Sequence, residues 1–148
     1  DFRNLKLHTG DLGRMDAEGY VYFMDRVKDY IRRRGENVSS MEVERIVSDH
    51  PAIKEAAAIG VKAGEGASAE DEIMIVCVPE GEPPDFKELI DWLAARMPYF
   101  MVPRYVRYVE ALPKTPTERV QKVKLRDEGV TPDTLDREDP KWAITVTR

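Results

Sequence analysis

The sequence is poor in the side chains that most often carry chemistry alone. It holds one cysteine, Cys77, and two histidines, His8 and His50. A single cysteine excludes an internal disulfide and fits a reducing compartment, so a cytoplasmic location is expected. The histidines are isolated, so neither a metal-ligand spacing nor a Ser/His/Asp or Cys/His set can be drawn. No apolar run approaches the about 18 residues of a membrane span, and no signal peptide opens the chain. With a formal net charge of −5, general binding to nucleic acid or an anionic membrane is not expected. The chain starts at Asp1 in mid-pattern, without a methionine, which leads us to expect a piece of a longer protein.

What remains is a globular composition, with 42% hydrophobic and 34% charged residues in 148, enough for one core and a small appendage. Alternating or aromatic stretches at 5–8 and 20–24, separated by Asp16-Ala17-Glu18-Gly19, predict a strand–turn–strand unit. A second hairpin is expected near 29–34 and 36–38, turning at Gly35-Glu36-Asn37. Ser39-Ser40-Met41-Glu42 reads as a capping box before a helix with Val43, Ile46 and Val47 inward, ended by Pro51. A buried strand follows over Ile53–Val61, then a flexible loop over Gly64–Ala69. Ile73–Val78, apolar on both faces, marks a central strand. Asp85 caps a second helix with Phe86, Leu89, Ile90 and Leu93 inward. Tyr105–Val109 is the last clear strand. The prediction is an α+β fold: a small two-layer sandwich of order α-β-β-α-β with about three strands, preceded by β-hairpins. Residues 111–121 read as a polar loop and 127–148 as an irregular tail. Cys77 falls in the buried strand as an inert core residue, and His50 at a helix C-terminus, where the dipole favours imidazolium. Ile53–Val61 and the long apolar strand leave pairing with a second copy open.

Two basic segments stand out against the acidic whole. Asp25 to Val38 carries Arg26, Lys28, Arg32, Arg33, Arg34 and Gly35. An anionic ligand is one reading; a solvated, aggregation-resistant strand edge is the other. Alternation puts Arg33 on the opposite face from Arg32 and Arg34. Gly35 supplies either a positive φ or close backbone approach to a ligand. The second segment, Pro113 to Lys122, is an exposed linker or a loop whose cations neutralise charge in phosphoryl-type transfer. Thr9-Gly10-Asp11 reads locally as an Asx-type turn.

Taken in order, Thr9-Gly10-Asp11-Leu12-Gly13, Gly19-Tyr20 to Tyr30, Gly35-Glu36-Asn37-Val38-Ser39-Ser40-Met41-Glu42-Val43-Glu44, Val102-Pro103-Arg104 and Leu112-Pro113-Lys114-Thr115 resemble the C-terminal part of an acyl-adenylate-forming, AMP-binding enzyme of the acyl-CoA synthetase type. The resemblance spans roughly residues 7–126. The stretch from Arg126 to Arg137 is similar to the crotonobetaine/carnitine-CoA ligase-like subgroup. The resemblance implies attack of a carboxylic acid on the α-phosphate of ATP, then displacement of AMP by the thiol of coenzyme A. It also implies a small lid that pivots on a large N-terminal domain between the two steps. That domain would supply most of the ATP and Mg2+ site.

Residue by residue, the resemblance makes Asp11 a ligand of the ribose hydroxyls, Arg26 a nucleotide contact and Lys28 the hinge. Gly35, with Glu36 and Asn37, would line the pantetheine path, and charge alone suggests that Arg32, Arg33 and Arg34 meet coenzyme A phosphates. Residues 1–25 become a remnant of the large domain and 26–126 the mobile lid, with its hinge near 26–29. The family's late Gly-Lys is replaced by Glu118-Arg119. Arg119 is therefore expected to assume the electrostatic role of that lysine, with Lys122 the alternative. A guanidinium is planar and always charged, so the exchange is not neutral. A non-catalytic adenylation-like domain kept for binding or assembly, and a small RNA-binding α/β module, are the competing readings.

Overall fold

The computed structural model describes residues 11–26, 30–63 and 70–147. Lys28, 5–8 and the loop expected over Gly64–Ala69 lie outside the described residues. Two hairpins come first. Strand β1 (Asp11–Met15) pairs antiparallel with β2 (Val21–Arg26), placing Asp11 opposite Arg26. The turn between them is the expected one, closed by Asp16, whose carboxylate accepts the Glu18 and Tyr20 amides at 3.1 and 2.9 Å. The strand itself was expected earlier: Asp11-Leu12-Gly13-Arg14-Met15 has no clean alternation and contains a glycine, so nothing local marks it.

Strands β3 (Tyr30–Arg33) and β4 (Glu36–Ser39) form the second hairpin. Its turn is Arg34-Gly35, one residue earlier than expected. Both residues are left-handed, with φ of 49° and 81°, which is what a two-residue hairpin connection demands. An arginine gives no sequence signal for that conformation.

Helix α1 (Ser40–Ser48) follows without a linker. Ser39 caps it, its hydroxyl accepting the Glu42 amide at 3.4 Å. Strands β5 (Ile53–Lys62), β6 (Asp71–Pro79) and β7 (Tyr105–Tyr108) build the sheet, β6 running antiparallel to β5 and parallel to β7. Helix α2 (Phe86–Ala94), capped by Asp85, supplies the right-sized crossover between the parallel pair. Val43, Ile46 and Val47 of α1 and Phe86, Leu89, Ile90 and Leu93 of α2 pack over one face of the sheet, against Ile73, Ile75 and Val106.

Two features go beyond the expected sandwich. Helix α3 (Lys122–Glu128) and Leu112 cover the second face, where Leu125 meets Ile59, Met74 and Val76. That is why β6 is buried throughout Glu72–Val78. The tail expected over 127–148, though largely without regular elements, contributes a short fourth strand, β8 (Leu135–Asp136), antiparallel to β7, and Trp142 meets Phe86 edge to face at 5.1 Å. The sheet order is β5-β6-β7-β8. β8 is held by charge: Arg104 grips Asp136 in bidentate fashion, at 3.0 and 3.1 Å. Among the described residues no helix is long and apolar enough to cross a membrane.

Candidate functional site

The structure sorts the predicted cations into those it neutralises internally and those it leaves outward. Arg33 belongs to the first group. Only 3% exposed, its guanidinium donates through Nη1 to the carbonyls of Phe100 and Val102, both at 3.1 Å. Its Nε lies 2.7 Å from Glu72 Oε2, a close ion contact that lacks hydrogen-bond alignment. A buried cation so engaged is not available to coenzyme A, so Arg33 serves as the anchor of the hairpin. Arg34 is half-exposed and loosely shared between Glu72 and Glu138, at 3.6 and 3.8 Å. Arg32, Gly35, Glu36 and Asn37 are exposed. A Cβ added at Gly35 would meet nothing within 4 Å, so the turn presents bare backbone to whatever approaches.

The second loop is an ordered hairpin where a polar loop was expected. Lys114 bridges Val120, and the amides of Gln121 and Thr115 donate to the carbonyls of Pro113 and Arg119 at 2.7 and 2.8 Å. The Glu118 amide donates to Thr115 O at 2.9 Å, and Glu118 itself is left-handed at φ 63°. This position is where the resembled motif carries glycine, which takes that conformation without strain.

Both arms of this hairpin are pinned. Lys114 Nζ lies 2.5 Å from Glu55 Oε1 of β5; that hydrogen bond, outweighing the cost of desolvation, raises the lysine pKa above its usual value. On the other arm, Lys122 Nζ lies 2.5 Å from Glu44 Oε1 and donates to Ser40 Oγ at 3.0 Å. The same Glu44 oxygen accepts the Ala58 amide of β5 at 2.9 Å. Ala58 sits on the free edge of β5, so the edge open to a partner strand is taken up there by Glu44.

Arg119, which flanks the hairpin tip opposite Thr115, is exposed, and its guanidinium has no ion pair or hydrogen bond among the described residues. Of the two expected candidates for the adenylation cation, the outward one is Arg119, and Lys122 is tied into the body of the domain. Asp11 and Arg26 are brought together as cross-strand neighbours at the end of the first hairpin. Sequence reasoning missed Glu44 and Glu55, the carboxylates that hold the hairpin; only their long-range partners mark them out.

Other titratable groups are structural. Burial pushes the Cys77 thiol up to about 12. His50 is buried, and its Nδ1 accepts the Ala52 amide at 3.1 Å. Burial, reinforced by Arg96 and opposed by Glu88, lowers its pKa. The helix-end imidazolium expected for His50 is therefore replaced by a neutral ring. No group of three His, Cys, Asp or Glu among the described residues can hold a metal ion.

One bare glycine turn and one pinned, arginine-tipped hairpin, joined through α1, define a small α+β domain that offers two loops to a ligand. Comparison with known proteins gives it a family: residues 42–119 match the AMP-binding enzyme C-terminal domain, and the chain belongs to that family. A 2-methylpropanoate–CoA ligase of Humulus lupulus is 41% identical over 81% of the chain and 22% of its own length. The ATP-bound MatB protein of Rhodopseudomonas palustris superposes with a TM-score of 0.71 at 33% identity, over 80% of this chain and 23% of that one. The o-succinylbenzoate CoA synthetase of Bacillus subtilis, solved with its acyl-adenylate intermediate, gives 0.69 at 31%, over 80% and 24%. The chain thus spans about a quarter of the length of the relatives it matches. The family match displaces the RNA-binding reading.

Proposed function

We propose that this chain is the C-terminal lid of an ATP-dependent acyl-CoA ligase, working on a larger N-terminal domain that holds the nucleotide, Mg2+ and the carboxylic acid. The observation that carries the reading is the contrast between Arg119 and its neighbours. Lys114, Lys122 and Arg33 are each neutralised by a carboxylate of the domain, and Arg119 alone among these four is left outward on a fixed hairpin. A free guanidinium on a rigid support suits the stabilisation of charge on an attacked phosphate. The Gly35 turn, on a different loop, suits the thioester step, and the resemblance to the family makes Lys28 the candidate pivot for alternation between the two. Relatives named as CoA ligases support the substrate class. The likeness of 126–137 to the crotonobetaine/carnitine subgroup makes small trimethylammonium acids the first to assay.

The test separates the half-reactions in the complete protein. Pyrophosphate exchange reads adenylation; thioester formation from supplied acyl-adenylate reads the second step. Arg119→Ala is expected to lower exchange by about 100-fold, the scale of losing one preorganised charge, and to spare thioester formation. Gly35→Leu is expected to do the reverse. A wild-type protein inactive in both assays would instead support a non-catalytic adenylation-like domain.

A further inference from the structure

Lys122 lies three residues beyond Arg119, at the start of α3, and reaches across the free edge of β5 to α1. Its side chain is only 15% exposed. The Glu44 carboxylate and the Ser40 hydroxyl already engage it, and Glu44 simultaneously covers the Ala58 amide. Turning outward to meet a ligand would strand a half-buried carboxylate at a strand edge, which is costly. Ser40 and Glu44 belong to the helix that runs directly on from β4, the second strand of the Gly35 hairpin. One cluster therefore joins the two loops.

We propose that Lys122 is a positioning residue for adenylation. Through Glu44 and Ser40 it fixes the Arg119 hairpin against α1, and it does not itself touch the nucleotide. The proposal rests on the reading of the chain as an adenylate-forming lid. Its physical basis is leverage: the Arg119 guanidinium has no partner among the described residues, so its aim is set by the hairpin, and a displacement of about 1 Å at a reacting charge costs on the order of 100-fold in rate.

The experiment uses the complete protein with four variants: Lys122→Met, Glu44→Gln, Lys122→Arg and Arg119→Ala. Glu44→Gln keeps an acceptor for the Ala58 amide, so it removes the ion pair and leaves the edge covered. Lys122→Met and Glu44→Gln are each expected to lower kcat for pyrophosphate exchange by about 10- to 100-fold. KM for ATP and thioester formation from supplied acyl-adenylate should stay within about 3-fold of wild type, the pattern of a lost transition-state interaction. Lys122→Arg should recover most of the exchange rate, since a guanidinium also reaches Glu44. On an Arg119→Ala background, Lys122→Met should cost nothing more.

A further loss on that background would show that Lys122 acts on the nucleotide directly, and the proposal would fail. Equal losses in both half-reactions, with a lowered Tm, would reduce Lys122 to general support and also overturn it. Unchanged exchange in Lys122→Met overturns it as well. An active wild type whose Arg119→Ala variant exchanges pyrophosphate normally would instead sink the reading of Arg119 on which the proposal stands.

Discussion

Arg33 Nε lies 2.7 Å from Glu72 Oε2, with both side chains less than 10% exposed. The pair joins the Gly35 hairpin to the central strand β6. Breaking one partner of a buried pair leaves the other charge uncompensated. Glu72→Gln is accordingly expected to cost about 3 kcal/mol, the lower end for a broken buried pair because Arg33 keeps two carbonyl partners. Urea unfolding of the isolated domain measures it; a loss under about 1 kcal/mol, the scale of an exposed pair, would show that water reaches this contact.

Glu118 occupies a left-handed position at φ 63°, and its side chain is 81% exposed with an ion contact of 3.7 Å to Lys114. The contact is worth little at such exposure, and the backbone conformation is one that only glycine adopts freely. Glu118→Gly is expected to stabilise the domain by up to about 1 kcal/mol. Denaturant midpoints of the two forms decide the sign, and a lower midpoint for the glycine variant refutes it.

His50 is neutral in the folded chain, because its Nδ1 must accept from the Ala52 amide and burial opposes charging. The unfolded chain takes up the proton near the ordinary 6.5, and the folded one only at lower pH. Its contribution to stability is therefore complete above 6.5 and declines as pH falls from there towards the depressed folded value. Stability followed from pH 7 to about 5, the range in which histidine titrates, should fall in the parent. The slope should flatten in His50→Gln, which cannot charge. Identical slopes would mean that the ring takes up its proton over the same pH range folded as unfolded, so that burial does not oppose its charging.

Cys77 is fully buried, and its thiol is pushed up to about 12. Since the thiolate is the nucleophile, a chromogenic disulfide reagent should find no reactive thiol in the native protein and one after denaturation. Rapid native labelling would contradict the burial.

Much of the domain was legible because its signals are local. Ser39 and Asp85 announce α1 and α2 by the side-chain oxygens that meet the first helical amides, and Ile73–Val78 announces a strand buried on both faces. Alternation alone separated Arg33 from Arg32 and Arg34, but nothing local reveals that Glu72, far along the chain, neutralises it. Strand β8 was illegible for the same reason. Leu135 and Asp136 show no strand pattern, and the strand exists because Arg104 holds Asp136. The turn at Arg34 was missed because an arginine in the left-handed region is settled by the register of β3 against β4. Of the site, Arg119 was placed by resemblance to a motif, and the carboxylates that hold its loop were visible only in three dimensions.

Glu44 serves three masters: a strand edge, an ammonium from α3, and the helix that continues out of the glycine turn. Anyone transplanting segment 114–122 into a related ligase would carry half of a lock without its key. Position 44 must travel with it, and a swap that exchanges both should retain catalysis where the single graft loses it.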